Sequence, residues 1–244
     1  MPEEVVFGKY RCRGAYHWEQ VSRSVRRHNV ITSVRYDVIL SALGELNGRQ
    51  CLDIGGGDGA LSYLMARRGA RVVNVDMAGE ALQFARAEFA RRGMRAQVAR
   101  ASAYALPCPS DAFDVAVCSE VIEHVQSPEA LVAEAARVLR PGGRFLLTTP
   151  MRVTETPLDR EHVREFFAGE LETLLGTALI DVNVTPFAPL ALFELYGLPF
   201  RWLGNRPLFR YLFNIAAIYG RRNPLAAQSP FRFFSLLLAT GRKP

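Results

Sequence analysis

The sequence predicts an α/β fold, a right-handed, doubly wound, Rossmann-like parallel sheet. Two observations lead to this prediction. Short apolar runs alternate with helical patterns along most of the chain, as in sheets whose strands are joined by crossover helices. One of these runs, residues 49–54, leads into a loop with four glycines in five positions. A ligand crevice is therefore expected at the carboxyl ends of the strands.

The predicted elements follow in chain order. One or two amphipathic helices are expected within residues 16–46, because apolar residues recur there at a helical spacing. Gly93 and the Pro141-Gly142-Gly143 segment each predict the end of a helix. Strands are predicted at 49–54, 71–76, 95–100, 113–118, 144–149, 179–184 and 233–240, and helices at 60–68, 78–92, 128–139 and from 161–167 through 175.

The glycine loop suits either of two cofactors. Gly55, Gly57 and Ala60 fit the dinucleotide pattern G-x-G-x-x-G/A, whereas Asp53, Gly55, Gly57 and Gly59 fit the D-x-G-x-G-x-G loop of S-adenosylmethionine (SAM) methyltransferases. The carboxylate of Asp53 favours SAM, because it could pair with the amino group of a methionine moiety and would repel a pyrophosphate.

Four segments, taken together in order and spacing, resemble the class I SAM-dependent methyltransferases. They are the glycine loop, residues 106–117, the Glu120-Val-Ile-Glu123-His124 segment, and residues 138–145. The resemblance covers roughly residues 35–185 plus the last strand. It implies a seven-stranded sheet that is mostly parallel with an antiparallel last strand, N-terminal helices over the cofactor, and a SAM-dependent methyltransferase activity.

The resemblance also implies the residues that hold SAM. Asp76 ends the second strand and is placed to accept hydrogen bonds from ribose hydroxyls. Ser102 stands where related sequences often have an acid that accepts from the adenine amino group, so weaker adenine binding is expected. The expected cofactor-binding residues are Asp53, Gly55, Gly56, Gly57, Gly59, Asp76, Met77, Ser102, Ala103, Ser119 and Glu120.

An acidic and histidine cluster is expected beside the cofactor. If a helix begins after the fourth strand, Glu120, Glu123 and His124 share one face of it. With His162, this set looks like the divalent-cation site of small-RNA 2′-O-methyltransferases, and E-x-x-E-H also occurs in ubiquinone-pathway O-methyltransferases. These four residues could bind Mg²⁺ or Mn²⁺. Without a metal, His124 or His162 would be the general base.

The basic charge of the chain lies at its C-terminal end. From Leu195 onward there are eight cations and no acids, which leaves 22 cations and 24 acids in residues 1–194. Residues 187–232 are also rich in aromatic and aliphatic side chains. Such a composition is typical of a helix at an anionic lipid surface, of an RNA contact, or of a lid or dimer surface whose apolar face is core.

Four units are expected: an N-terminal helical cap at 1–46, a SAM-binding core at 47–186, a helical insertion at 187–232 and the last core strand at 233–244. The four cysteines have no C-x-x-C spacing, which indicates reduced thiols and a cytoplasmic protein. No apolar run reaches the length of a spanning helix. If the insertion binds lipid, the protein would lie peripherally on the inner membrane face.

The preferred function is O-methylation of a small or lipid-linked acceptor. An RNA 2′-O-methyltransferase with a divalent metal, and an N- or C-methyltransferase of a small molecule, remain as alternatives. Tyr16, His17 and Trp18 are candidates for substrate contact, and an equally good interpretation is that they pack a helix start onto the sheet.

Overall fold

The computed structural model describes residues 9–157, 159–199, 208–226 and 233–244. A single sheet of seven strands lies at its centre, in the order β3-β2-β1-β4-β5-β7-β6. The strands are β1 (Gln50–Ile54), β2 (Arg71–Asp76), β3 (Gln97–Arg100), β4 (Phe113–Ser119), β5 (Leu139–Pro150), β6 (Ile180–Pro189) and β7 (Phe234–Arg242).

Nine α-helices flank the sheet in the described residues. They are α1 (Lys9–Arg13), α2 (Tyr16–Gln20), α3 (Val30–Leu43), α4 (Ala60–Ala66), α5 (Gly79–Ala90), α6 (Pro128–Val138), α7 (Ala168–Leu175), α8 (Leu190–Gly197) and α9 (Leu208–Ile218). Single turns of 3₁₀ helix lie at Ile122–His124 and Pro224–Ala226.

The sheet confirms the predicted topology. Strands β1 to β5 pair in parallel, and β7 returns antiparallel between β5 and β6. The strand order reverses at β1, where β2 and β4 lie on its two sides. In doubly wound sheets the ligand crevice forms at such a switch point, outside the carboxyl ends of the strands.

Hydrophobic side chains cover both faces of the sheet. On one face, Phe145 and Leu147 of β5 pack with Leu131 of α6 and Leu171 of α7, and all four are fully buried. On the other, α3 and α4 pack against the sheet, with the core residues Ile39, Leu40, Leu61, Met65 and Leu146. A strand run that is apolar throughout is what a sheet covered on both faces requires.

The insertion between β6 and β7 is helical in its described part. Helices α8 and α9 follow β6, and a small core joins Tyr196 and Leu225 of this region to Val30 and Val34 of α3. The insertion thus packs onto the N-terminal cap. No helix in the described ranges is long and apolar enough to cross a bilayer.

Some predicted boundaries were wrong. Strand β5 starts at Leu139, because the Pro-Gly-Gly segment continues the strand with a shift in pairing to β4. The segment before α7 is irregular, and the helix begins only at Ala168. The N-terminal helical pattern is interrupted, since residues 21–29 form a loop between α2 and α3.

Candidate active site

The glycine loop leaves β1 and leads to α4 at the switch point of the sheet. Gly55 has φ 68°, and a Cβ there would lie 2.4 Å from Cγ2 of Val121. Gly57 has φ 54°, and its Cβ would lie 2.0 Å from the Tyr10 hydroxyl oxygen. Both positions therefore require glycine, for backbone conformation and for space. Gly59, at φ 78°, is the N-cap of α4, and Gly55 and Gly56 line the crevice.

The two predicted acids lie at the strand ends beside this loop. Asp53 is 1% exposed, and the Ser62 hydroxyl donates to its Oδ2 at 2.5 Å. Burial raises the pKa of the Asp53 carboxyl to about 7. Asp76 accepts the backbone N–H groups of Ala78 and Gly57, each at 2.8 Å, and burial raises its pKa as well.

Four of the five other expected cofactor contacts line the same crevice, and Ser102 is adjacent in sequence to one of them. Met77, Ala103, Ser119 and Glu120 all line it. The Ser102 hydroxyl accepts the backbone N–H of Tyr104 at 3.0 Å, next to Ala103. The crevice has a volume of about 350 Å³, within the range of small-molecule sites.

The N-terminal cap is fastened to the glycine loop through Asp58, a contact that the sequence did not predict. Asp58 is fully buried, and its carboxylate accepts the backbone N–H of His17 at 3.0 Å and lies 3.2 Å from His17 Nδ1. The indole N–H of Trp18 donates to the Asp58 carbonyl at 2.7 Å. Tyr16 and His17 line the crevice, whereas Trp18 packs in the core. For Trp18, the packing interpretation is therefore the correct one.

Three of the four predicted metal or base residues come together. Glu123, His124 and His162 each offer a ligand atom, and these atoms lie within 4.8 Å of one another. The His124 and His162 ring centroids are 4.9 Å apart. His124 Nδ1 lies 2.8 Å from the Glu161 carbonyl and therefore carries the proton, while His162 Nδ1 lies 2.8 Å from the Glu165 carboxylate. The Nε2 atom of neutral His124 is then an acceptor.

Glu120 departs from the predicted arrangement. The helix after β4 is a single 3₁₀ turn that begins at Ile122, so Glu120 precedes it, with φ 57°. Its carboxylate forms an ion pair with Arg35 of α3 at 2.6 Å. The expectation that Glu120, Glu123 and His124 share one helical face was wrong for this reason. Arg35 is a site residue that the sequence did not predict.

The electrostatics of the cluster suit a positive ligand. Glu123 is fully buried, and burial together with the charge of Glu120 raises the pKa of its carboxyl well above the usual range. Its Oε2 accepts from the Thr149 hydroxyl at 3.0 Å, while its Oε1 is a buried oxygen without a hydrogen-bond partner among the described residues. Burial lowers the pKa of His124, which keeps its imidazole neutral at pH 7. A site with one carboxylate oxygen and neutral imidazoles suits Fe²⁺ or Zn²⁺ better than Mg²⁺ or Mn²⁺, because Mg²⁺ and Mn²⁺ prefer oxygen ligands.

Known proteins match both the sequence and the fold. Residues 52–147 match the family model of a methyltransferase domain. The chain is 38% identical over 137 residues to a ubiquinone biosynthesis O-methyltransferase of Aeromonas salmonicida, covering 55% of this chain and 57% of that one. It is 37% identical over 157 residues to a probable SAM-dependent methyltransferase of Mycolicibacterium smegmatis, covering 62% and 60%. The chain thus spans less than two thirds of either relative.

Solved structures with the same fold differ in sequence. A Haemonchus contortus phosphoethanolamine N-methyltransferase 2 bound to S-adenosylhomocysteine has a TM-score of 0.69 and 20% identity, covering 97% of this chain and 58% of that one. A [4+2]-cyclase, SpnF, has a TM-score of 0.61 and 22% identity, covering 87% and 82%. The fold therefore accommodates more than one reaction, and the site has to identify the chemistry. Residues 52–147 thus match a methyltransferase domain, and the described chain shares its fold with methyltransferases of known structure.

Proposed function

We propose that the protein transfers the methyl group of SAM to a hydroxyl of a small or lipid-linked acceptor. The observation that carries this proposal is the pair of imidazoles, His124 and His162, on the crevice wall next to the glycine loop. A hydroxyl needs a proton acceptor as it becomes a nucleophile, and a neutral imidazole is suited to that task at neutral pH. The relatives named for ubiquinone biosynthesis are O-methyltransferases, which supports oxygen as the methyl acceptor atom.

The residues of this crevice fit the cofactor. Gly55 and Gly56 line the crevice without side chains, so a ligand can approach their backbone closely. Asp76 is held at the end of β2 by two backbone N–H groups, in the position expected for the ribose hydroxyls. SAM supplies an electrophilic sulfonium methyl when it is bound. The protein then aligns the acceptor oxygen with that methyl and excludes water.

His162 is the better candidate for the general base. Glu165 is 5% exposed and lies at hydrogen-bond distance from His162 Nδ1, so it fixes the orientation of the ring. When Nδ1–H donates to this carboxylate, the lone pair of Nε2 is available to take the acceptor proton. The carboxylate would also stabilise the imidazolium that forms.

A divalent cation at Glu123, His124 and His162 is a second candidate for activating the acceptor hydroxyl, and it would replace the general base, because it would take the Nε2 lone pair of His162. The Oε1 atom of Glu123, which has no hydrogen-bond partner in the described part of the chain, is a buried oxygen that a cation would satisfy. A bound cation would supply Lewis-acid activation of the acceptor hydroxyl. Glu120 could take part only after leaving Arg35, because the two are paired in this structure.

The test uses two acceptors that share one hydroxylated aromatic head, one with and one without a polyprenyl tail. Release of S-adenosylhomocysteine is measured, with the corresponding aniline in place of the hydroxyl as a second probe. We expect His162→Gln to lose about 10²–10⁴-fold in turnover, as for removal of a general base, while S-adenosylhomocysteine binding is unchanged. The matched control is His28→Gln, because His28 is buried outside the crevice.

Three results would contradict parts of the proposal. Turnover of the aniline but not the hydroxyl would make the protein an N-methyltransferase. Binding of NADH without S-adenosylhomocysteine in calorimetry would remove the cofactor assignment. Full activity of Glu123→Gln in the presence of a chelator would remove the cation.

A further inference from the structure

An exposed apolar stripe runs along the outer face of α9. Leu208, Leu212, Ile215 and Tyr219 follow one another at helical spacing and are 37%, 49%, 45% and 65% exposed. Another side of the helix carries Asn214, which is fully buried. Side chains three and four residues apart lie on the same side of a helix, so the four form one continuous surface.

Buried hydrogen bonds hold a basic loop against α9. The amide nitrogen of Asn214 donates to the carbonyls of Val25 and His28, both at 2.8 Å. These carbonyls belong to the loop between α2 and α3, on which Arg23 and Arg26 are exposed. The two arginines therefore belong to a loop that α9 contacts directly.

Further cations follow the stripe at its C-terminal end. Arg221 and Arg222 are exposed directly after α9, and residues 208–226 contain no acid. Arg201, Arg206 and Arg232, which belong to the same basic segment, lie outside the described residues. Positive charge therefore lies at the C-terminal end of the stripe and on the loop that α9 contacts.

We propose that the outer face of α9, the loop at residues 21–29 and Arg221 with Arg222 form a docking surface for an anionic lipid membrane. Leucine and isoleucine side chains can enter the boundary between headgroups and acyl chains, while arginines beside them contact the phosphates. RNA fits less well, because it binds through aromatic platforms and the stripe holds only one exposed aromatic ring. A second copy of this surface would meet it with like charge.

The docking surface adjoins the crevice. Gln20 and Asn29, at the two ends of the loop, line the crevice, and the carbonyl between them at His28 is bound by α9. Docking would therefore bring the crevice to the bilayer, where an acceptor with a lipid tail lies. This step rests on the proposed function; the membrane contact itself does not, and is measured separately from cofactor binding.

Flotation of the full chain with lipid vesicles tests the proposal. The probes are vesicles of phosphatidylglycerol with phosphatidylcholine and vesicles of phosphatidylcholine alone. We expect binding to the former only, weakening at high salt. Leu212→Glu combined with Ile215→Glu should reduce binding tenfold or more, and Arg221→Gln with Arg222→Gln by roughly fivefold for each charge removed. Ile180→Glu is the matched control, because Ile180 is 50% exposed on β6, the outermost strand of the sheet.

Calorimetry with S-adenosylhomocysteine on each variant separates this proposal from the enzymatic one. Lost flotation with unchanged S-adenosylhomocysteine affinity supports the docking surface. The proposal is overturned if the unaltered chain does not float with anionic vesicles, or if the double glutamate variant floats equally well. If the chain does not float, binding of an RNA oligonucleotide would assign the surface to RNA. A dimer that the double glutamate variant loses would assign it to a second copy of the chain.

Discussion

The two ends of the crevice are built in different ways. At the cofactor end, Asp53, Gly55 and Asp76 lie at the ends of adjacent strands or in the loop that follows, and the parallel sheet alone brings them together. At the proposed acceptor end, Arg35 of α3 pairs with Glu120 after β4, and His124 packs against His162 after β5, so side-chain contacts join these distant segments. Because one end depends on backbone topology and the other on specific polar pairs, we expect substitutions to affect them separately.

The largest expected effect is at the acceptor end. Arg35 and Glu120 are 13% and 21% exposed, so loss of one partner leaves a poorly solvated charge, and Arg35→Gln should lower the free energy of unfolding by about 3 kcal/mol. Combining it with Glu120→Gln should recover most of that loss. The measurement is urea unfolding followed by circular dichroism.

The matched control for Arg35 is an exposed pair. Arg242 and Asp181 lie 3.9 Å apart with side chains 55% and 66% exposed, so Arg242→Gln should cost less than about 1 kcal/mol. If Arg35→Gln proved as mild as Arg242→Gln, the Arg35–Glu120 pair would not hold the acceptor end together.

The next effect is at the cofactor end. Gly55→Ala adds a Cβ against Val121 at a positive φ, and we expect roughly 30- to 150-fold weaker S-adenosylhomocysteine binding, about 2–3 kcal/mol, from strain and displacement of the loop. Gly93→Ala is the control, because Gly93 also has a positive φ, of 70°, but its Cβ would meet no atom within 4 Å. Equal losses of affinity in both variants would show that strain alone, and not the close approach at the loop, is responsible.

Signals in the local sequence were sufficient for the cofactor end. A strand, a carboxylate and clustered glycines are adjacent in the chain, and they predicted both the loop and Asp76. The same was true of the sheet, since each strand is a short apolar run. For the acceptor end, Arg35 stands in a helical stretch without any local sign of its partner, which is 85 residues away in sequence. The predicted position of Glu120 on a helix was wrong because Glu120 itself has a positive φ, which redirects the chain before the helix begins.

Asp53 gives a smaller effect that depends on pH. Its folded-state pKa of about 7 lies above its ordinary value, so the folded protein holds a proton that the unfolded chain releases. This contribution to stability is present at acidic pH and is lost as pH rises towards about 7. Asp53→Asn should therefore raise the stability of the free protein by about 1–2 kcal/mol at pH 8. Urea unfolding at pH 5 and pH 8 measures it.

Asp53→Asn should weaken the binding of S-adenosylhomocysteine while stabilising the fold. Binding of the ligand amino group favours ionised Asp53, so affinity for S-adenosylhomocysteine should fall as pH drops below about 7, by at most about tenfold per pH unit. Asp53→Asn should bind roughly tenfold more weakly at pH 8 and lose this pH dependence. An unchanged pH profile in the variant would mean that another group near the crevice titrates.

The smallest expected effect is a gain at the adenine position. Ser102 accepts from the backbone N–H of Tyr104, and Asp at this position can accept the same bond while adding a charged acceptor for the adenine amino group. A hydrogen bond to a charged group is worth about 1 kcal/mol more than a neutral one, so Ser102→Asp should tighten S-adenosylhomocysteine binding about fivefold. Thr173→Asp, at an exposed position on α7, controls for the added charge. Because Ser102 belongs to the cofactor end, Ser102→Asp should not change the stability contributed by the Arg35–Glu120 pair. If the gain in affinity disappeared when Arg35 was also replaced, the two ends would be coupled.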